Sequence, residues 1–170
     1  AFSQRTLDEI GKRCPADKIH TALTLLKKYD IRPFMNIILT TPESRLEDVE
    51  LTVDEVIRYL ADDFYQAGVI YGIYPLKGTE FFERYWDFKS HVEEIPGTGQ
   101  YIRRDEIIYA NDPLVREFQI RYQDGESSVV DRFVKSEDIR HRSAGNLALI
   151  KLQFAKKLIT DIRNEYSYQP

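Results

Sequence analysis

The sequence predicts an α/β fold in which parallel strands alternate with helices. Two apolar runs of strand length, residues 34–39 and 69–74, lie among segments with helical periodicity in the order helix, strand, helix, strand, helix. A continuous apolar run is typical of a strand that is buried on both faces. Such alternation favours parallel strands joined by right-handed helical crossovers. Folds of this kind bind ligands at the carboxyl ends of their strands, so function is expected there.

Length, charge and cysteine content limit the class of protein. The 170 residues suffice for one domain with a sizeable core but not for a complete eight-unit barrel. The net charge of -4 and the pI near 5.5 give no basic surface, so we expect no nucleic-acid partner. A single cysteine, Cys14, excludes an internal disulfide and suits a reducing cytoplasm. No apolar run reaches the length of a bilayer span, so no membrane partner is expected.

The first half of the chain gives clear boundaries for its elements. Residues 2–28 read as two helices, with Ser3 as the cap of the first and Pro15 in the first turn of the second. After the strand, apolar residues at three- and four-residue steps predict one helix that ends near Asp62: Leu46, Val49, Val53, Val56, Ile57 and Leu60. Ser44 and Glu47 have the spacing of a capping box at its start.

The second half is predicted to be mostly helical. The segment around residues 95–100 reads as a loop that flanks a short strand at either 101–102 or 107–109. Asp112 and Pro113 begin a helix, which Gly125 is predicted to end. A last helix carries a stripe formed by Leu147, Ile150, Phe154, Leu158, Ile162 and Tyr166.

The first strand and the turn after it resemble one enzyme family. Residues 36–43, NIILTTPE, follow the spacing G-x-I-x-G-x-x-E, with Ile38 and Glu43 in place and with Asn36 and Thr40 where that pattern has glycine. The helix start PESRLED continues the pattern, and YPLKGTEFF supplies a P-x-x-G-T turn further along. In this order and spacing, the segments are similar to the carboxyl-terminal part of radical S-adenosylmethionine (SAM) enzymes.

The resemblance implies a partial (β/α) TIM-like barrel over residues 1–88 and a mostly helical extension over residues 89–170. Members of the family hold a four-iron four-sulfur cluster on a C-x-x-x-C-x-x-C loop, and Cys14 is the only thiol here. The chain alone is thus expected to bind neither the cluster nor another metal. The implied partner is a missing amino-terminal part of the same protein, an oxidoreductase or methyltransferase-like enzyme, and a cobalamin cofactor is left open.

The resemblance also implies a set of cofactor-binding residues at the strand mouth. Ile38 takes the position against adenine, although an isoleucine in a buried strand is also ordinary core. Asn36 offers an amide to cofactor or substrate, Thr40 a hydroxyl, and Tyr74 an aromatic ring. Glu43 is expected to support the turn. No catalytic residue is assigned.

Two functions follow from these patterns. The first is a fragment of a radical SAM enzyme that forms part of the cavity for SAM and a small-molecule substrate and is inactive alone. The alternative is a non-catalytic α/β protein-interaction module. An open partial barrel exposes strand edges, which also favours homo-oligomers.

Several other polar residues are read as structural. His20, His91 and His141 are isolated and lack the spacing of metal ligands. Tyr71 is a second aromatic residue that either lines the cavity or packs in the core. Lys77, in the turn after the second strand, is expected to be solvated.

Overall fold

A computed structural model describes residues 1–73, 78–85, 92–94, 101–103, 108–134 and 144–167. Within these residues the first half contains α1 (Gln4–Glu9), α2 (Ala16–Lys28), β1 (Phe34–Ile38), α3 (Leu46–Leu60), β2 (Gln66–Ile70) and α4 (Glu80–Arg84). The second half contains β3 (Val92–Glu94), β4 (Tyr101–Arg103), α5 (Pro113–Val134) and α6 (Ala144–Ser167).

The two apolar strands form a small parallel sheet. β1 and β2 pair in parallel from Phe34 opposite Gln66 to Ile38 opposite Ile70, which confirms the predicted strand direction. β2 begins and ends earlier than the predicted 69–74, because Gln66 and Gly68 interrupt the apolar pattern at its start. Two strands with one crossover helix do not form a stable sheet by themselves, so other elements must cover them.

The core lies on one face of this sheet. Its strand residues are Ile37, Leu39, Ala67 and Val69, and we call this side the core face. The predicted stripe of α3 packs into the same cluster, and Val49, Val53 and Val56 are completely buried there. The helix that connects the two strands therefore closes over them, as a parallel crossover requires.

The predicted partial barrel is wrong. Among the described residues the protein is mostly helical, and its parallel sheet contains only β1 and β2. Along β2, where a barrel would add the next strand, the helix α6 packs instead and also contacts α3. β3 and β4 form a separate antiparallel pair, which confirms the predicted short strand at 101–102. A long amphipathic helix can bury the exposed flank of β2 as well as a strand can, and local sequence does not distinguish the two outcomes.

Gly125 does not end a helix, contrary to the sequence prediction. α5 continues through it to Val134 and packs against α6. The space of its missing side chain is taken by the ring of Phe154, since a Cβ at residue 125 would lie 2.2 Å from Cζ of that ring. The glycine is therefore required by helix packing and not by helix termination.

The predicted capping residues are shifted by one position. α3 begins at Leu46, so Asp48 and not Glu47 accepts a hydrogen bond, at 2.9 Å, from the Arg45 backbone N–H. The Ser44 hydroxyl accepts from the backbone N–H of Thr41, at 2.9 Å, within the preceding turn. Ser3 does not cap α1, because its hydroxyl donates to Asp48 at 2.5 Å. A tertiary contact uses the hydroxyl of Ser3 and the local turn uses that of Ser44, so neither hydroxyl caps the helix that local spacing assigned to it.

Replacing Gly125 with alanine tests the close crossing of α5 and α6. We expect Gly125→Ala to lower the free energy of unfolding by about 1–3 kcal/mol, because the new methyl group displaces the Phe154 ring. In an open helix position the same change would instead stabilise by up to about 1 kcal/mol. Urea denaturation measures the difference.

The matched control is Asp124→Ala, at an exposed neighbouring position of α5. Adding Phe154→Leu to Gly125→Ala should recover part of the loss, because the smaller side chain leaves room for the methyl group. A Gly125→Ala protein that is more stable than the parent would contradict the crossing.

Candidate functional site

The turn after β1 is the most polar buried part of the described structure. Thr40, Thr41 and Ser44 are all at most 1% exposed although they carry hydroxyl groups. Buried polar groups are costly unless they are hydrogen-bonded, so their partners decide what the turn can do.

The Thr40 hydroxyl is hydrogen-bonded to two structural partners. It donates to the carbonyl oxygen of Tyr71, the residue that follows β2. The same oxygen accepts a hydrogen bond from Nε2 of Gln119 at 2.8 Å. With its hydrogen committed and one acceptor position occupied, Thr40 joins β1 to the end of β2 and to α5. Its predicted contact with a cofactor would have to compete with these bonds.

Gln119 is the key residue that the sequence analysis missed. It is completely buried, and its Oε1 accepts from the backbone N–H of Ala110 at 2.8 Å. Its Nε2 also donates to the carbonyl oxygen of Ile108 at 3.2 Å. The sequence does contain a signal for this role. Gln119 lies on the apolar face of α5 that also carries Val115 and Tyr122. A polar residue among buried apolar ones usually has a specific hydrogen-bond partner.

Glu9 gathers a second set of contacts at the same turn. Its carboxylate accepts hydrogen bonds from the Thr41 hydroxyl, from the backbone N–H of Glu43 at 3.2 Å, and from the Tyr85 hydroxyl at 2.7 Å. One carboxylate thereby ties α1, the turn and the end of α4 together. These partners are far apart in sequence, so no local pattern indicates them.

Tyr85 is held in its protonated form by its burial and by this contact. Burial raises the pKa of its hydroxyl most, and the hydrogen bond to Glu9 raises it further, because a tyrosinate would face a carboxylate. The hydroxyl is therefore a hydrogen-bond donor and not a base at neutral pH.

Glu43 supports the turn, in agreement with its expected role. Its Oε1 accepts from Nδ2 of Asn111 at 3.1 Å, and the backbone N–H of Asn111 donates to the carbonyl oxygen of Pro42 at 2.8 Å. Glu43 is exposed, so its carboxylate also remains reachable from solvent. The segment before α5 is fastened to the turn by these bonds.

Asn36 and Ile38 lie on the opposite face of the sheet from the core. With Phe34, Gln66, Gly68 and Ile70 they form what we call the groove face, which follows from the alternation of side chains along a strand. Asn36 is exposed, Ile38 is half-buried, and Phe34 and Ile70 are 54% and 41% exposed. A Cβ at Gly68 would lie 3.2 Å from Cε1 of Phe34, so the Phe34 ring packs against this glycine.

A groove of about 380 Å³ opens on this side of the molecule. It is lined by residues of both strands, among them Asn36, and by Leu147, Ala148 and Lys151 of α6. Its walls are mostly apolar, and the Lys151 ammonium is paired with the carboxylate of Glu126 in α5. Such a volume lies at the lower end of the range for small-molecule sites.

The predicted cofactor residues therefore divide into two groups. Asn36 and Ile38 share the groove face, whereas Thr40 and Glu43 belong to the hydrogen-bonded turn. Tyr74 lies outside the described residues, and so do Lys77, His91 and His141. Tyr71 packs on Tyr122 with ring centroids 5.4 Å apart.

The described residues differ in how well they fit a metal ion, an iron-sulfur cluster and an organic cofactor. In the described part of the chain, no group of three or more His, Cys, Asp or Glu residues is placed to hold a metal ion. Cys14 is exposed and is the only cysteine of the sequence, so these residues do not fit a four-iron four-sulfur cluster. Asn36 and Ile38 do fit contacts with a flat heteroaromatic group, since they offer an amide and an apolar surface side by side. No helix in the ranges that the structure covers is long and apolar enough to cross a bilayer.

Comparisons of the chain with protein-family models, with curated proteins and with solved structures find no match. The function is therefore inferred from these residues and their geometry.

Removing the Gln119 amide should loosen the turn. We expect Gln119→Leu to lower the free energy of unfolding by about 2–5 kcal/mol, because the Ala110 N–H loses its acceptor and the Thr40 hydroxyl loses a donor inside the core. Urea denaturation followed by circular dichroism measures the loss.

The matched control is Gln153→Leu, the same change at an exposed position of α6. It should alter the free energy of unfolding by less than about 0.5 kcal/mol. Equal effects of the two changes would show that the Gln119 bonds contribute nothing specific.

Tyr85 should make the protein sensitive to alkali. An unfolded chain loses the tyrosine proton near pH 10, whereas the folded chain keeps it to higher pH. Stability from this group is therefore fully present below about pH 10 and falls as pH rises, by up to about 1.4 kcal/mol per pH unit. In Tyr85→Phe this part of the slope should disappear, although stability at neutral pH falls through loss of the bond to Glu9.

Urea midpoints measured from neutral to strongly alkaline pH give the slope. Tyr29→Phe, at a residue that is 67% exposed, is the control and should keep the parent's pH dependence. An unchanged slope in Tyr85→Phe would refute the assignment.

Proposed function

We propose that the chain forms the carboxyl-terminal part of a radical SAM enzyme and that its groove face supplies one wall of the cavity for SAM and substrate. The observation that carries the proposal is the position of Asn36 and Ile38. These two residues of the family-like pattern project from the same face of β1, and Asn36 lines the groove, while the other residues of the pattern secure the turn.

The parallel pairing of the strands supports this assignment. β1 leads through the turn and α3 into β2, so both strands present their carboxyl ends to the same side. Ligands of α/β folds bind at such ends, and the turn is rigid because Thr40, Thr41 and Glu43 are hydrogen-bonded to distant segments. A rigid turn beside an accessible strand face is suited to positioning a ligand.

In this function each residue has a defined task. Asn36 would bond a polar edge of the ligand with its amide, and Ile38 would pack against a flat apolar group. Lys151 would bring a cation that Glu126 holds in place. A cluster held by another part of the protein would supply the electron for the cleavage of SAM. The present chain would bind and orient, and would be inactive alone.

The proposal includes a cytoplasmic setting and a small-molecule substrate, because the single cysteine suits a reducing compartment and the groove has the size of a small ligand. The partner that completes the cavity would be the cluster-bearing part of the same protein. Whether that part also holds cobalamin is left to experiment.

The test uses the longest reading frame that contains this chain, reconstituted anaerobically with iron and sulfide. A C-x-x-x-C-x-x-C loop should lie elsewhere in that reading frame and hold the cluster. Reduction with SAM should then yield 5′-deoxyadenosine. If the reading frame has no such loop and forms no cluster, the proposal is wrong.

Two variants test the groove face within that protein. Asn36→Leu should weaken SAM binding about tenfold in equilibrium dialysis, since one hydrogen bond is lost, while the cluster absorbance stays unchanged. Asn164→Leu makes the same change at an exposed residue of α6 that does not line the groove, and it should leave binding unaltered. Equal affinity in the parent and Asn36→Leu would remove Asn36 from the site.

A second candidate is the non-catalytic interaction module. The observation that favours it is the exposure of Phe34 on a strand whose outer edge has no partner among the described residues. The absence of a cluster-forming reading frame would leave this candidate standing.

A further inference from the structure

The groove is apolar except at two positions. Among the described residues that line it, Lys151 is the only charged one, and Asn36 is the only other one with a polar side chain. The rest of the described lining consists of aliphatic side chains, one glycine and the ring of Phe34. The Lys151 side chain is only 17% exposed, and a cation withdrawn from water is costly unless it is paired. The acceptors around Lys151 therefore decide what the groove can bind.

Lys151 already has one partner, but this partner does not exhaust its hydrogen-bonding capacity. Its Nζ lies 2.5 Å from Oε1 of Glu126 in α5. An ammonium group carries three N–H donors, so the pair leaves two donors for other acceptors. Glu126 does not belong to the described lining of the groove. A ligand in the groove consequently meets Lys151 and not its carboxylate partner.

Tyr122 carries an unused donor close to the same carboxylate. It is completely buried, and its ring packs on those of Phe118 and Phe154 with centroids 5.6 and 5.5 Å away. Its hydroxyl has no hydrogen-bond partner among the described residues. Glu126 lies one turn further along the same face of α5, and burial first and the charge of Glu126 second raise the pKa of the Tyr122 hydroxyl. A phenylalanine would fill this position without an unpaired donor, so the hydroxyl is expected to be used in another state.

We propose that the substrate is a small molecule with an apolar body and one carboxylate, and that this carboxylate binds the Lys151 ammonium. The assignment of the groove to a substrate rests on the proposed function. On binding, Lys151 divides its donors between Glu126 and the substrate, and the Tyr122 hydroxyl donates to Glu126. The three side chains then form one continuous chain of charge-assisted hydrogen bonds that ends at the substrate. Asn36 takes no part, so its amide stays available to SAM.

The lining of the groove favours this class of substrate over others. A cationic ligand would meet the Lys151 ammonium at the one charged position of the described lining. A ligand with many polar groups would leave them unpaired against aliphatic walls. An uncharged apolar ligand would fit those walls but would leave the Tyr122 hydroxyl without a use. The volume of about 380 Å³ limits the substrate to a small molecule.

Two probes of the same shape test the charge of the ligand. Hydrocinnamate and its neutral amide, hydrocinnamamide, differ only in the group that would meet Lys151. In equilibrium dialysis with the parent chain, we expect the carboxylate to bind about 10- to 100-fold more tightly than the amide. Lys151→Met keeps the apolar stem, removes the charge and should abolish this preference. Lys156→Met, at an exposed lysine of α6 outside the groove, should retain it.

Tyr122→Phe separates the proposed role of the hydroxyl from packing of the ring. Removal of an unpaired buried hydroxyl should leave the urea midpoint of the free chain unchanged or higher. The variant should bind hydrocinnamate about fivefold more weakly, because Glu126 has lost its second donor, and should bind hydrocinnamamide as the parent does. If Tyr122→Phe lowers the midpoint and weakens both probes equally, the hydroxyl serves packing and the proposed chain of bonds is wrong.

Circular dichroism checks the fold of each variant. If Lys151→Met does not fold because Glu126 is left unpaired, the double variant Lys151→Met with Glu126→Gln removes both charges and should also lose the preference for the carboxylate. Equal or absent binding of the two probes to the parent overturns the proposal, and so does a preference that survives removal of the Lys151 charge.

SAM also contains a carboxylate, so it is added as a competitor. SAM that displaces hydrocinnamate and itself loses affinity in Lys151→Met would show that the carboxylate at this position is that of SAM, and the assignment to the substrate would be wrong. None of these measurements needs the cluster. The reconstitution with iron and sulfide therefore tests the proposed function separately, and a failure of either experiment is distinguishable from a failure of the other.

Discussion

The structure depends on helices that cover a two-stranded parallel sheet, because such a sheet is not stable when its faces are exposed to water. β1 and β2 bury Ile37, Leu39, Ala67 and Val69 on the core face, and α3 lies over that face because it connects the strands. The far flank of β2 is still open at this point, and α6 covers it while also packing on α3. The close crossing of α5 and α6 at Gly125 is part of the same solution. Helices thus cover this sheet at positions where larger parallel sheets have further strands.

This choice of cover determines where a ligand or a partner can approach. The core face is closed by helices, and the flank of β2 is closed by α6, so only the groove face and the outer edge of β1 are accessible within the described residues. The proposed cavity wall uses the groove face. The groove face of β1 and its outer edge are formed by the same three residues, Phe34, Asn36 and Ile38. The backbone groups of these alternate residues point to the outer edge, and their side chains all project on the groove face.

The polar turn after β1 separates the roles of neighbouring residues. Thr40 and Glu43 look like ligand contacts in a linear pattern, but Gln119, Tyr71 and Asn111 occupy their polar groups. Glu9 does the same for Thr41, with Tyr85 as a further donor. Because buried hydroxyls and amides must be paired, the turn gains rigidity from these bonds. Among the described residues, the exposed Asn36 amide lines the groove and belongs to neither of these two sets of bonds.

By itself the sequence determined the local elements: the two parallel strands, the stripe of α3, and the helical character of the second half. These follow from apolar periodicity, which reports which faces of an element are buried. Only the tertiary structure decided that α6 lies where a barrel strand was predicted, that Gly125 accommodates Phe154, and that Gln119 and Glu9 hold the turn. These features depend on contacts between residues tens of positions apart, and periodicity contains no information about which buried face meets which. The sequence could therefore place Asn36 and Ile38 on one strand face, whereas the partners of Thr40 and Glu43 required the folded chain.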